Sequence, residues 1–233
     1  MASIRQIQEK LLARGYNPGP IDGAWGRLTL AAVRAFQGNA GLVADGVVGP
    51  RTLEALFAGS PQLATSEPQP VWYREAVRLL DVREKPGAAD NPEILEWAKG
   101  RKIAYPHDSI AWCGLFVAHC IGATLPDEPL PTNPLGARSW VAFGDGCPAA
   151  LGAVLVFWRE QKTGWKGHVG FYAGEDESAY HVLGGNQGDK VCITRIPKGR
   201  LLANGVRKPK SVKLLAGGTV RRPAAGSYSL REA

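Results

Sequence analysis

The 233-residue sequence predicts an α+β protein, in which a small three-helix bundle precedes a larger domain of helices followed by an antiparallel β-sheet. Three observations support this prediction. A loop motif repeats within the first 58 residues, apolar residues keep a helical spacing as far as about residue 121, and short β-type runs follow from residue 153. A chain of this length has room for two modest domains.

The first domain, residues 1–58, is predicted to contain three helices. The second and third, over residues 30–36 and 53–57, each follow a copy of the same loop motif. The first spans residues 4–14 and places four apolar side chains on one side, which is typical of a helix packed on a core: Ile4, Ile7, Leu11 and Leu12.

The repeated loop motif has the sequence DGAWGRLT in residues 22–29 and DGVVGPRT in residues 45–52. Asp-Gly is a turn-forming pair. Thr29 and Thr52 are placed to cap the helices that follow, because a threonine hydroxyl accepts hydrogen bonds from the free N–H groups of a first helical turn.

The loop motif, together with the residues between its copies, resembles a known family. D-G-x-x-G-x-x-T, then A-V-x-x-F-Q in residues 32–37, then the second D-G-x-x-G-x-x-T resemble the peptidoglycan-binding type 1 domain of bacterial cell-wall enzymes. This resemblance covers about residues 3–58 and implies that peptidoglycan is the partner of the domain. Asp22, Trp25 and Arg27 are the candidate substrate-binding residues, because they lie in the first loop and include an aromatic of exposed type.

The polar, proline-rich segment 59–70 is predicted to be a linker, and the second domain is predicted to span residues 71–205. Its first two helices are predicted over residues 72–82 and 92–99. Asn91 is expected to be the N-cap of the second of these, with a proline at the first helical position.

The next predicted helix begins at Cys113 and runs to about residue 121. A thiol at a helix N-terminus lies beside unpaired backbone N–H groups and the positive end of the helix dipole, both of which favour the thiolate. Cys113 is therefore a candidate nucleophile. An irregular, proline-rich stretch over residues 126–150 follows, and then four β runs: 153–158, 168–173, 179–183 and 190–196.

A nucleophilic cysteine needs a base, and the chain has four histidines. His119 is six residues after Cys113 on the same helix and points away from it. His168 opens an apolar strand, where a catalytic residue can be presented at a sheet edge. His107, in the loop before the helix, and His181, in the middle of a strand, remain alternatives.

Three spaced motifs of the second domain resemble the CHAP-like cysteine amidohydrolase/peptidase group, which has a papain-like fold and cuts peptidoglycan. They are W-C-G-x-F-V at residues 112–117, G-H-V-G-F-Y at residues 167–172 and L-G-G-N-Q at residues 183–187. The resemblance covers about residues 71–205 and implies no cofactor.

Position by position, the resemblance implies that Cys113 is the nucleophile, His168 the general base and Asn186 the amide that orients the imidazole. Many relatives place a carboxylate two residues before this asparagine, where the present chain has Gly184. Asp189 is therefore the second candidate for the third catalytic position.

The function expected from both resemblances is a monomeric peptidoglycan hydrolase that cleaves an amide of the wall peptide. The first residues show no signal-peptide pattern, so a phage or prophage endolysin held in the host cytoplasm until its release to the wall is expected. Two alternatives remain open: a secreted antibacterial amidase, and a non-catalytic wall-binding or virion structural protein with a decayed hydrolase fold.

The net charge of +7 is concentrated near the C-terminus, where residues 195–222 contain nine Lys and Arg and no Asp or Glu. Residues 206–233 are predicted to be a basic tail, with anionic envelope components as possible partners. No aromatic-interleaved basic motif or recognition helix indicates nucleic acid. A solvated basic end that aids solubility is the alternative interpretation.

Cys113, Cys120, Cys147 and Cys192 are expected to be free thiols, because synthesis in a reducing compartment disfavours disulfides. A structural zinc site usually uses closely spaced pairs such as C-x-x-C, and the sequence has none, so no metal site is predicted. No apolar run approaches the roughly 18–20 residues that span a bilayer.

Overall fold

The fold was analysed in a computed structural model of the chain, which describes residues 2–57, 69–85, 87, 89–213 and 218–222. The chain divides into two compact units, Met1–Ala64 and Thr65–Ala233, and each is described by itself. Most of the predicted linker 59–70 lies outside the described residues. Helices come first along the chain and an antiparallel sheet follows, so the predicted α+β class is confirmed.

The first unit contains three helices, α1 (Ile4–Ala13), α2 (Arg27–Asn39) and α3 (Pro50–Phe57), as predicted. The Ser3 hydroxyl caps α1 by accepting a hydrogen bond from the backbone N–H of Gln6 at 3.2 Å. The apolar sides of the helices meet in one core, whose buried side chains are Ile7, Leu11, Ala32, Val33, Phe36 and Leu56.

The first copy of the loop motif is held by Gln8, a buried residue of α1. Its Nε2 donates hydrogen bonds to Asp22 Oδ1 at 3.2 Å, to the carbonyl of Ala24 at 2.9 Å and to Thr29 Oγ1 at 3.2 Å. Its Oε1 accepts one from the backbone N–H of Gly23 at 2.9 Å. One amide side chain therefore fixes both ends of the loop.

The second copy is held in the same way by Gln37 of α2. Its Nε2 donates to Asp45 Oδ1, the carbonyl of Val47 and Thr52 Oγ1 at 2.9, 2.9 and 3.1 Å. Its Oε1 accepts from the backbone N–H of Gly46 at 2.8 Å. The internal repeat of the sequence is thus a repeat of one hydrogen-bond network.

This network corrects the capping role predicted for the two threonines. Thr29 lies inside α2 and Thr52 inside α3, and both side chains are buried. The N-cap of α2 is Gly26, which has no side chain to accept a hydrogen bond. The threonine hydroxyls bind the glutamines of the preceding helices, so their position in the motif serves the loop rather than the helix end.

The second unit begins with α4 (Val71–Arg78), followed by α5 (Pro92–Gly100) and α6 (Cys113–Thr124). Asn91 caps α5 as predicted, its Oδ1 accepting from the backbone N–H of Glu93 at 2.9 Å. α4 ends four residues before the predicted end at residue 82. There the chain turns at Asp81, whose φ is 68° and whose N–H donates to the carbonyl of Val191 at 2.9 Å.

The sheet has six strands, β1 (Asp145–Gly146), β2 (Val154–Trp158), β3 (Gly167–Glu175), β4 (Ala179–Gly184), β5 (Cys192–Pro197) and β6 (Leu201–Lys208). Their spatial order is β1-β6-β2-β3-β4-β5, and all neighbours are antiparallel. Two short 3-10 helices, Ala137–Ala142 and Lys198–Arg200, lie before β1 and before β6.

The four predicted strands correspond to β2–β5 and are confirmed, whereas β1 and β6 were not predicted. β6 continues to Lys208, beyond the predicted domain end at residue 205, so the predicted tail begins inside the sheet. Its Gly205 permits a close approach, because a Cβ there would lie 2.7 Å from the carbonyl oxygen of Val156.

Residues 218–222, which also belong to the predicted tail, pack on the sheet beside β3. The N–H of Glu175 donates to the carbonyl of Val220 at 2.8 Å, and the N–H of Arg222 donates to the carbonyl of Glu175 at 2.9 Å. The Val220 side chain is buried, and its N–H donates to the hydroxyl of Tyr172 at 3.1 Å. We call residues 218–222 the C-terminal strap. Residues 214–217 and 223–233 lie outside the described residues.

α6 packs against the sheet and is buried on nearly every side. The rings of Phe116 in α6 and Phe171 in β3 have centroids 6.0 Å apart. A helix surrounded by protein needs no polar side, which explains the continuous apolar sequence of α6. Among the described residues, no helix combines the length and the apolar character needed to cross a membrane.

Candidate active site

Cys113 is the first residue of α6, and its side chain is only 3% exposed. The next residue, Gly114, packs against the backbone carbonyls of Pro134 and Leu135, which leave no room for a Cβ. The N-terminal turn of α6 is therefore fixed against the irregular segment that follows the helix. This contact holds the thiol at the helix start, where the sequence predicted it.

The sequence predicted that the N-terminus of α6 favours the thiolate form of Cys113. The electrostatics of the thiol differ from this prediction. Burial raises the pKa of the Cys113 thiol above its ordinary value. The backbone N–H groups of Val169 and Gly114, and then the charge of Arg159, act in the opposite direction. The expected stabilisation by N–H groups is present, but the loss of solvent outweighs it.

His168 is the second residue of β3, pairs with Phe157 of β2 and is fully buried. The register between β3 and β4 pairs Phe171 with Leu183, and β4 ends one residue later at Gly184. Val169 therefore lies beyond the paired part of β4, and its N–H lowers the pKa of the Cys113 thiol. The residue that follows His168 thus contributes to the electrostatics of the thiol.

Gln187 contacts the imidazole. Its Oε1 lies 3.0 Å from Nε2 of His168. Its Nε2 donates to three backbone carbonyls, those of Val182 and Gly184 at 3.2 Å each and that of Cys192 at 2.5 Å. Because the amide is fixed by these bonds, its oxygen is held toward the ring.

Asn186, the predicted orienting residue, points elsewhere. It is buried with a φ of 54°. In the amide orientation that satisfies both of its polar atoms, Nδ2 donates to Glu84 Oε1 and Oδ1 accepts from the N–H of Trp112, each at 3.2 Å. Gln187, and not Asn186, therefore meets the imidazole, while Asn186 contacts the residue before Cys113.

Gly184 leaves room for the Gln187 side chain beside the imidazole. A Cβ on Gly184 would lie 3.0 Å from both Nε2 of His168 and Oε1 of Gln187. A side chain at residue 184 would enter the space that Gln187 occupies. The sequence signal for this contact was a glycine at 184 followed by a second amide, Gln187, beside Asn186.

Glu84 is a site residue that the sequence analysis missed. Its Oε1 accepts a hydrogen bond from Trp112 Nε1 at 2.6 Å and, with the Asn186 amide oriented as above, another at 3.2 Å. Burial, followed by the charges of Asp189 and Asp108, raises its pKa, and the Trp112 bond opposes this shift. Glu84 thus joins the segment that leads into Cys113 to the turn that carries Gln187.

The remaining histidines each contact a carboxylate outside this arrangement. His107 is exposed with Nδ1 3.3 Å from Asp90, and His181 has Nε2 2.9 Å from the buried Asp176. His119 has Nε2 3.2 Å from Glu75. Asp189, the second candidate for the third position, is exposed and accepts the backbone N–H of Glu84 through its carbonyl at 2.9 Å.

The candidate binding residues of the first unit lie in the first loop. The Asp22 carboxylate accepts from the N–H of Ala24 at 2.8 Å as well as from Gln8, and these bonds lower its pKa. Asp22 thus has a structural role in the turn. Trp25, 40% exposed, and Arg27 are on the surface, and their contact with a substrate stays a prediction.

Three or more His, Cys, Asp or Glu side chains arranged to hold a metal ion are not found within the described ranges. The four cysteines are free thiols, as predicted. Cys120 is buried in α6, whereas Cys147 and Cys192 are partly exposed.

Comparisons with known proteins bear mainly on the first unit. Residues 1–56 match a family described as a putative peptidoglycan binding domain. A curated relative, N-acetylmuramoyl-L-alanine amidase CwlM of Mycobacterium tuberculosis, is 33% identical over 75 residues, which are 32% of this chain and 18% of the relative. The chain thus matches less than a fifth of that protein's length. No solved structure gives a significant match. The resemblance of the loop repeat to a peptidoglycan-binding domain is confirmed, and the cysteine-hydrolase resemblance of residues 71–205 stays a prediction.

Proposed function

We propose that the protein is a peptidoglycan hydrolase that cleaves an amide bond of the wall peptide by cysteine catalysis. The observation that carries the proposal is the arrangement around β3. His168 is held by Gln187 at 3.0 Å, and the N–H of the neighbouring Val169 lowers the pKa of the Cys113 thiol. A nucleophile, a base and a residue that orients the base are the parts such a mechanism requires.

In the proposed reaction, His168 takes the thiol proton as Cys113 attacks the amide carbonyl carbon. The backbone N–H of Cys113 at the start of α6 stabilises the oxyanion, and the imidazolium protonates the leaving amine as the carbon–nitrogen bond breaks. A thioester remains on Cys113. Water, deprotonated by His168, hydrolyses the thioester and releases the acid and the free thiol.

Burial raises the pKa of the Cys113 thiol. We therefore expect its proton to move to His168 during the attack on the substrate, rather than a thiolate–imidazolium pair in the resting protein. A neutral thiol in the resting protein needs a base held in one orientation. The amide of Gln187 fits this need, because it accepts from a ring N–H without bringing a charge. The proton transfer then leads to reaction only when a substrate carbonyl carbon lies where the sulfur of Cys113 can attack it.

The first unit supports peptidoglycan as the substrate. Its match to a peptidoglycan-binding family implies that it holds the protein on the polymer, which raises the local concentration of substrate at the second unit. The name of the curated relative makes the N-acetylmuramoyl–L-alanine amide the first bond to examine. Phage or prophage origin and release from a host cytoplasm stay predictions.

The test is digestion of purified sacculi by the parent chain and by Cys113→Ser. We expect the parent to solubilise sacculi with release of new amino groups, and the variant to be inactive while it still binds them. Cys120→Ala is the matched control, because Cys120 is a buried cysteine of the same helix and should be dispensable. Full activity of Cys113→Ser would contradict cysteine catalysis, and mass spectrometry of the products identifies the bond cleaved.

A second candidate function is that of a non-catalytic wall-binding protein with a decayed hydrolase fold. The deep burial of both Cys113 and His168 favours it, because a nucleophile must reach its substrate. Iodoacetamide labelling followed by peptide mapping separates the two. A parent chain that binds sacculi, releases no amino groups and leaves Cys113 unlabelled has the second function.

A further inference from the structure

We infer that the second loop of the first unit, residues 41–52, contains a binding site for one part of peptidoglycan, the region where the stem peptide joins muramic acid. This inference rests on the proposed function, and it assigns the site to the second copy of the loop motif rather than to the first. The two copies share one hydrogen-bond network, so the residues outside that network distinguish the copies.

The second loop surrounds a cavity of about 580 Å³, which lies within the range of small-ligand sites. Its walls include Val43 and Val47, which are 80% and 64% exposed and lie outside the core of the unit. At the position of Val47, the first copy has Ala24. Because neither valine packs in the core, the fold of the unit does not explain why two exposed valines lie beside one cavity.

The cavity also has two charges of opposite sign, one of them held in place. The Asp45 carboxylate is held by Gln37 and by the N–H of Val47 at 2.8 Å, and these bonds lower its pKa. Arg51, on the first turn of α3, lines the cavity and forms no ion pair within the described part of the unit. The corresponding residue of the first copy is the apolar Leu28.

The backbone of the second loop is set before any ligand binds. Gly46 has a φ of 80°, and a Cβ there would overlap the side chains of Leu30 and Arg34. Gln37, which is buried below the loop, binds it at four points between 2.8 and 3.1 Å. A loop fixed in this way loses little freedom when it binds, which favours affinity.

These features match the region where the stem peptide joins muramic acid. The lactyl and alanyl methyl groups there suit the two valines, and the carboxylate of the next peptide residue suits the guanidinium of Arg51. The amide N–H groups of the peptide are donors for Asp45. A glycan chain without peptide keeps the lactyl methyl group and bears a lactyl carboxylate, but it lacks the alanyl methyl group, the peptide N–H groups and the carboxylate of the second peptide residue, so the stem peptide is the part recognised.

The inference is tested by retention of the full chain on purified sacculi, with Cys113→Ser in every protein to prevent digestion. The site variant is Val43→Ser/Val47→Ser/Arg51→Ala. The matched variant of the first copy is Leu28→Ser, which removes an exposed apolar group at the position that corresponds to Arg51. The measured quantity is the protein concentration at which the sacculi are half-saturated. We expect it to rise at least about tenfold for the site variant and to stay within about twofold of the parent for the matched variant.

Sacculi stripped of stem peptides by an amidase should retain the parent no better than the site variant. Equal loss in both variants, loss only in the matched variant, or undiminished binding to stripped sacculi would each overturn the inference. A parent that does not bind intact sacculi would refute peptidoglycan binding itself, before any variant is compared.

A second measurement does not depend on the folding of variants. A purified disaccharide tripeptide is titrated into the isotope-labelled full chain carrying Cys113→Ser, and backbone amide shifts are followed by NMR. We expect the shifts to concentrate in residues 41–52. Shifts confined to residues 22–29 would overturn the inference even if the site variant were unstable.

Discussion

Gln187 Oε1 lies 3.0 Å from Nε2 of His168, and both side chains are buried. The amide nitrogen of Gln187 is fixed by three backbone carbonyls, so the ring faces an oxygen that has little freedom to turn away. This places a neutral acceptor where a carboxylate would make the imidazole more basic. The imidazole is therefore oriented without the added negative charge.

Gln187→Ala should lower kcat by about 100-fold, within the range that positioned acid–base groups contribute. The ring would lose the acceptor that selects its tautomer, whereas substrate contacts elsewhere would remain, so KM should change little. Gln187→Glu should recover most of the rate because a carboxylate accepts the same hydrogen bond. Initial rates of amine release from sacculi measure both parameters, and equal rates for Gln187→Ala and the parent would contradict the assignment.

Arg159→Gln should slow the alkylation of Cys113. The charge of Arg159 lowers the thiol pKa, so its removal raises that pKa and reduces the thiolate fraction at every pH below it. We expect a fall of about threefold at pH 7, which is reasonable for one partly solvated cation, and a pH–rate curve displaced toward alkaline pH. Iodoacetamide labelling from pH 6 to 10 provides the curve.

Lys162→Gln is the control for this experiment, because Lys162 is an exposed cation in the loop between β2 and β3. It should leave the labelling curve in place. A similar displacement in both variants would indicate a general effect of net charge rather than a specific effect of Arg159.

The sequence was sufficient for elements whose signals are local. Asn91 before a proline predicted the start of α5, and the short β-type runs after residue 153 predicted four of the six strands. β6 was missed because its sequence contains Asn204 and Gly205, a pair typical of turns, and is stabilised by its pairing with β2. Distant pairing thus outweighed the local signal.

The contacts of the candidate site were predictable as far as single motifs extend. Cys113 and His168 stand in recognisable motifs, but the choice between Asn186 and Gln187 depends on a backbone angle. With a φ of 54°, Asn186 turns its amide toward Trp112 and leaves the next residue to meet the ring. Glu84 reaches the site from a segment 29 residues before Cys113, and no spacing rule indicates such a contact.

Glu84→Ala should destabilise the second unit by about 1–3 kcal/mol, the cost of leaving the Trp112 N–H without its acceptor. It should also lower kcat, because Trp112 precedes Cys113 and Asn186 precedes Gln187. Glu84→Gln retains an acceptor and should keep most of the stability and rate. Glu96→Ala, at an exposed ion pair of α5, is the control. Denaturant unfolding and sacculus digestion give the two quantities, and an unchanged kcat in Glu84→Ala would show that Glu84 does not position the site.

The basic C-terminal region is largely built into the second unit, which changes how its role must be tested. Seven of its nine cations bind partners within the fold, among them Lys198 with Glu175 at 2.9 Å, Arg207 with the carbonyl of Phe143 at 2.7 Å and Arg222 with the carbonyl of Ala173 at 2.7 Å. Truncation at residue 205 would cut β6 and remove the C-terminal strap together with the charges. Loss of wall binding after that truncation would not separate charge from folding.

Val220→Asp tests whether the C-terminal strap stabilises the sheet without altering a basic residue. Val220 is buried beside β3, and a carboxylate there would lose solvent and replace an apolar contact. We expect a loss of about 2–3 kcal/mol in the free energy of unfolding, comparable to the burial of one valine. Thr219→Asp introduces the same charge at the exposed neighbouring position and should change stability by less than about 0.5 kcal/mol. Urea unfolding of the full chain, followed by the fluorescence of its tryptophans, measures both, and equal stabilities would mean that the strap contributes nothing to the fold.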